Sequence, residues 1–127
     1  MTWRSTRESF WIIGHSFGTV MTHRQPLAEI ESRELFPGFK GKFFHAESMT
    51  LVYWEIRRGA ALPEHSHFHE QVVNMLVGEF ELTIDGTSFK LTAGDVLAIP
   101  RNAVHFGTAI THCRILDVFQ PCRDDYR

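Results

Sequence analysis

The chain lacks most of the features that would place it in a specialised class. It has two cysteines, Cys113 and Cys122, too few for a disulfide framework, so a reducing compartment and a cytoplasmic location are expected. No apolar run approaches the roughly 18 residues that span a bilayer. Phe10-Trp11-Ile12-Ile13 follows Arg4 and Arg7, but Gly14 and His15 end it too early for a secretory leader. A formal net charge of −2 offers no electrostatic reason for nucleic acid or an anionic membrane as partner. No helical period persists beyond residue 35. What remains is a globular composition, 43% hydrophobic and 22% charged, in 127 residues, enough for one core and too little for two.

The strands are easier to read. Phe80, Leu82 and Ile84 alternate with Glu79, Glu81 and Thr83, the period of two that a half-buried strand requires. Asp85-Gly86 is a hairpin turn pair, and Phe89 and Leu91 alternate with Ser88 and Lys90 on the return. Thr92-Ala93-Gly94-Asp95 makes the next turn. Val96-Leu97-Ala98-Ile99 is continuously apolar, as in a strand covered on both faces, and Pro100 closes it. Further strands are expected over residues 49–56 and 113–119, with weaker ones near 33–36 and 42–45. Many short strands with Gly, Pro and Asp punctuation predict an all-β sandwich or barrel. The first 20 residues do not follow this pattern. They are readable as an extra strand, an arm that packs on a partner, or a poorly ordered extension, so residues 1–24 are set apart from a single domain over 25–127.

His65, His67 and His69 crowd against the apolar Val72, Val73, Met75 and Leu76. In a strand, residues two apart share a side, so His65 and His67 can both face an interior. His69 has the same parity but lies where the chain turns into the next strand. Alone, these histidines fit a metal site or a solvated loop equally well. His105 adds weight to the first reading, because the hairpin between it and His67 lets the chain leave the site and return. Three imidazoles with Gln71 would form a nitrogen/oxygen set with one or two positions open for water or substrate.

Gly59, His65-Ser66-His67, Gln71 and Gly78, followed by Gly94, Pro100 and His105, resemble the two paired motifs of the cupins. The resemblance implies an antiparallel jelly-roll β-barrel with one divalent metal in its mouth, held by His65, His67, His105 and residue 71. The usual fourth ligand is Glu, and here it is Gln71; Asn102 and Ala109 also depart from the pattern. Four neutral ligands would leave a divalent ion its full double charge. That favours an anionic substrate and polarisation over redox. The donor set does not name the metal: zinc, nickel, iron, manganese and copper all accept it.

On the last strand, odd positions facing inward would place Asp117 and Phe119 in the cavity. A carboxylate there must be paired or working. Arg123 could fold over the mouth and clamp a carboxylate, pair with Asp117, or belong with Asp124 to a solvated tail. Asp117, Phe119, Pro121, Arg123, Asp125 and Tyr126, following the H-x-H-x-H-E-Q motif, are similar to the cupins of pectin and alginate breakdown known as KdgF. Cys122 stands where Pro is common. The similarity implies opening of 4,5-unsaturated uronates to a linear keto acid, with Asp117, Phe119 and Arg123 on the substrate side and a sugar acid as the small anionic partner. An iron-dependent dioxygenase and a non-catalytic sugar-acid-binding barrel are the alternatives. Leu116 and Val118 on the face opposite Asp117, with Tyr53 and Trp54 on both faces of their strand, predict a homodimer.

Overall fold

Asp85-Gly86 turns with positive φ at both positions (46° and 85°), the left-handed pair that matches strand twist in a two-residue hairpin. It joins β6 (Glu79–Ile84) to β7 (Thr87–Thr92) with Ile84 opposite Thr87. The structure, a computed structural model, describes residues 22–127. The separate N-terminal segment expected over residues 1–24 therefore lies almost wholly outside the described residues. Eight more strands surround the hairpin: β1 (Arg33–Phe36), β2 (Phe39–His45), β3 (Thr50–Ile56), β4 (Ala61–His65), β5 (Glu70–Val77), β8 (Val96–Ile99), β9 (His105–Ala109) and β10 (Cys113–Gln120). Among the described residues the only helical turns are short 3-10 pieces at Leu27–Glu29 and Asp124–Tyr126, and no helix is long and apolar enough to cross a membrane.

The strands form two antiparallel sheets, one in the order β1-β2-β3-β10-β5-β8 and the other β4-β9-β6-β7. The ladders do not run from one sheet into the other among the described residues. The expected barrel is therefore a two-layer jelly roll, held across the middle by side chains. Those side chains obey the period of two. Val52, Trp54 and Ile56 on β3, Val73 and Met75 on β5, and Ile115 on β10 face Phe80, Leu82 and Ile84 on β6. Gly41 on β2 lets Trp54 pack close: a Cβ there would lie 2.8 Å from the indole Cζ3.

One expectation is overturned. Val96–Ile99 is not covered on both faces: Val96 is 66% exposed and only Ile99 is buried. β8 is the edge of the larger sheet and pairs only with β5. A continuous apolar run does not distinguish double burial from an edge strand. The outer face of this sheet carries Leu51, Tyr53, Val72, Leu116 and Val118 in adjacent register across β3, β10 and β5. All five remain partly exposed.

Candidate active site

β10 lies between β3 and β5 in the large sheet, and this places the polar residues of the interior. Asp117 is opposite Val52 on one side and Val73 on the other, and Phe119 is opposite Gln71. In the smaller sheet, His65 at the end of β4 is the register partner of His105 at the start of β9. His67 follows on the loop, whose carbonyl accepts the Asn102 N–H at 2.8 Å. The two sheets thus bring His65, His67, Gln71, His105, Asp117, Phe119 and Arg123 to one cavity.

One ligand atom from each of His65, His67 and His105 lies within 4.8 Å of the other two. Their tautomers follow from their neighbours. His65 Nδ1 lies 2.8 Å from the Pro63 carbonyl, His67 Nδ1 3.0 Å from that of His69, and His105 Nδ1 2.9 Å from that of Ala103. A carbonyl only accepts, so each Nδ1 carries the proton and each Nε2 presents a lone pair. Burial, then the nearby Arg123 and His105, lowers the pKa of His67 to about 4, and burial lowers that of His105. Both imidazoles are therefore neutral at neutral pH.

These donors fit a cation. His67 Nε2 faces Gln71 Oε1 at 3.1 Å, two acceptors with no proton between them. Gln71 also lies close enough to Asp117 to favour its ionised form. His105 Nε2 is buried without a partner. Unprotonated acceptors converging out of water are costly unless a cation satisfies them. His69 does not join them: its Nε2 donates to the Cys122 carbonyl at 3.0 Å.

Asp117 is buried, with Oδ2 accepting the Trp54 indole N–H at 2.9 Å and Oδ1 without a partner. Burial raises its pKa to about 6, against the opposing pull of Gln71, Trp54 and Arg123. Arg123 is buried rather than a solvated tail residue. Its fork is occupied by Asp125, through Nε at 3.0 Å and Nη2 at 2.8 Å. The pairing of Asp117 with Arg123, one of the readings left open by the sequence, is not formed, and Asp124 pairs with Arg127 instead. The guanidinium stacks 3.9 Å from the Tyr126 ring centroid and 4.8 Å from that of Phe119. Nη1 is buried without a partner, and Arg123 is among the residues that line the cavity. A carboxylate arriving there would meet an orphaned, charged donor.

Trp54, Asp125 and Tyr126 were not legible as site residues. The parity of β3 places Trp54 inward, and a buried indole N–H needs an acceptor, but which strand supplies it depends on the β3–β10 pairing.

The Cupin domain family model matches residues 52–119, more than half of the chain. The pectin degradation protein KdgF of Dickeya dadantii (strain 3937) is 29% identical over 96 residues, covering 73% of this chain and 87% of that protein. Among solved structures, an RmlC-like cupin from Shewanella frigidimarina NCIMB 400 superposes with a TM-score of 0.79 at 28% identity, over 85% of this chain and 98% of that one. KdgF from Halomonas sp. gives 0.79 at 26% identity, over 84% of this chain and all of its own, at 100%.

Proposed function

The chain belongs to the cupin domain family, and from that premise we propose that it is a metal-dependent enzyme acting on a small sugar acid. The reaction proposed is the opening of 4,5-unsaturated uronates to a linear keto acid. The Asp117 carboxyl carries this reading. It is buried, tethered through one oxygen and free at the other, on the cavity shared with the imidazole triad and Arg123 Nη1. Similarity to KdgF from two organisms supports the substrate class.

His65, His67 and His105 through Nε2 and Gln71 through Oε1 would hold one divalent ion. Bound there, it supplies Lewis-acid stabilisation of an oxygen that becomes negative. The remaining work belongs to side chains. Arg123 Nη1 receives the substrate carboxylate, and Phe119 walls the ring and excludes water. The isomerisation conserves atoms. The hydroxyl on C1 loses its proton as the C1–O5 bond breaks, the electron pair of that bond stays on O5, and the resulting enolate takes a proton at C4. Asp117 accepts the first proton as a carboxylate and delivers it to C4 as an acid, ending as it began. A group titrating near 6 serves in both roles near neutral pH.

The test is turnover of 4,5-unsaturated galacturonate by metal-loaded protein, followed by loss of the ultraviolet absorbance of the C4=C5 bond conjugated to the carboxylate. Unchanged absorbance with each of the five metals would sink the reading. Binding without turnover would identify a binding domain, and oxygen uptake a dioxygenase.

A further inference from the structure

His69 has no part in that chemistry, yet it touches both halves of the site. Its main-chain carbonyl accepts from His67 Nδ1 at 3.0 Å, fixing the direction of a triad imidazole. Its side chain donates through Nε2 to the Cys122 carbonyl at 3.0 Å. The peptide that begins with this carbonyl ends in the Arg123 N–H, which donates to Thr50 Oγ1 at 2.9 Å. Thr50 is 0% exposed, and its hydroxyl is itself engaged by His45 Nδ1 at 2.8 Å. The Cys122–Arg123 peptide is therefore pinned at both edges, by β3 from one side and by the histidine motif from the other. The place from which the Arg123 side chain starts is set before Asp125, Tyr126 and Phe119 orient its guanidinium.

We propose that His69 is a positioning residue for Arg123, holding the anion-binding Nη1 at a set distance from the imidazole triad. A uronate carries its carboxylate and its anomeric oxygen on different ring carbons, so the two groups would be received at Nη1 and at the triad. The substrate in this proposal rests on the sugar-acid reading above; the tie between His69 and Arg123 does not. A side chain that merely stapled the tail would affect stability alone, whereas a positioning residue governs how well the carboxylate is received.

The experiment compares His69→Ala and His69→Gln with the wild type as full-length, metal-loaded protein. Alanine keeps the carbonyl that holds His67, and glutamine restores an N–H within reach of Cys122. Readouts are metal content, melting temperature, hydrogen exchange of the Arg123 Nε–H by NMR (assigned with Arg123→Lys), and KM and kcat on 4,5-unsaturated galacturonate. For His69→Ala the metal is retained, Arg123 exchange accelerates about tenfold, and KM rises about tenfold while kcat changes less than about threefold. His69→Gln recovers most of both effects. Unchanged exchange and KM overturn the proposal, even with a lowered melting temperature, because His69 is then only a staple. Loss of metal as the main defect overturns it too. If the wild type does not turn over the uronate, the sugar-acid reading fails, and Arg123 exchange still decides the role of His69.

Discussion

Replacing Asp117 with Asn tests both the proton transfer and the burial that makes it possible. In the metal-free protein, burial raises this carboxyl from its ordinary 3.8 to about 6. The native state therefore holds its proton more tightly than the unfolded chain, and stability is lost as pH rises from about 4 to about 6. At about 1.4 kcal/mol per pH unit, the ionised carboxylate costs about 3 kcal/mol at pH 7. Asparagine is nearly isosteric, removes that charge, and still offers an oxygen to the Trp54 indole. The Trp54 hydrogen bond to the ionised form already counts in that pKa. In chelator, Asp117→Asn is thus expected to be about 3 kcal/mol more stable than wild type at pH 7, with the difference vanishing below about pH 4. With metal restored, its turnover falls about 10²–10⁴-fold. Urea denaturation from pH 3.5 to 8 and initial rates on the same preparations measure both quantities. A variant less stable than wild type at pH 7, with the same pH slope, would refute the desolvation argument; near-wild-type turnover would remove Asp117 from the mechanism.

The other predictions follow from single contacts. His105→Ala removes the buried Nε2 at the centre of the triad, so metal per chain, about one in the wild type by elemental analysis, falls at least tenfold. Trp54→Phe deletes the donor to ionised Asp117. The carboxyl rises further, and the acidic limb of the kcat profile moves about one pH unit upward, as rate measurements from pH 5 to 8 will show. Gly41→Ala would put a Cβ 2.8 Å from the Trp54 ring and 3.0 Å from Val52 Cγ1. It is expected to cost about 1–3 kcal/mol by denaturant melt and to lower kcat through the displaced indole. The apolar outer face around Leu116 and Val118 is expected to pair two chains, so light scattering should report a dimer that Val118→Glu converts to monomer.

Local chemistry alone determined much of this protein. Asp85-Gly86 between two alternating runs specified the β6–β7 hairpin, because few residue pairs tolerate positive φ twice. Parity put Asp117 and Phe119 on one face of β10 whatever the neighbouring strands were, and the structure turns that face inward. The spacing of His65, His67 and His105 was legible as a returning motif, and the structure brings their ligand atoms together. Pairings between distant strands were not legible. Apolar strands of similar length are interchangeable to a local reading, so nothing local chose β10 as the centre of the larger sheet or β8 as its edge. That choice gave Asp117 the indole of Trp54, 63 positions away. The fate of Arg123 was also tertiary: its spacing to Asp117, Asp124 and Asp125 allowed several partners. In the structure Tyr126 and Phe119 pack against the guanidinium, the peptide is pinned by His69 and Thr50, the fork pairs with Asp125, and Nη1 is without a partner. Alternation is a property of one strand, whereas a hydrogen bond across a core requires two strands whose contact depends on every other pairing in the sheet.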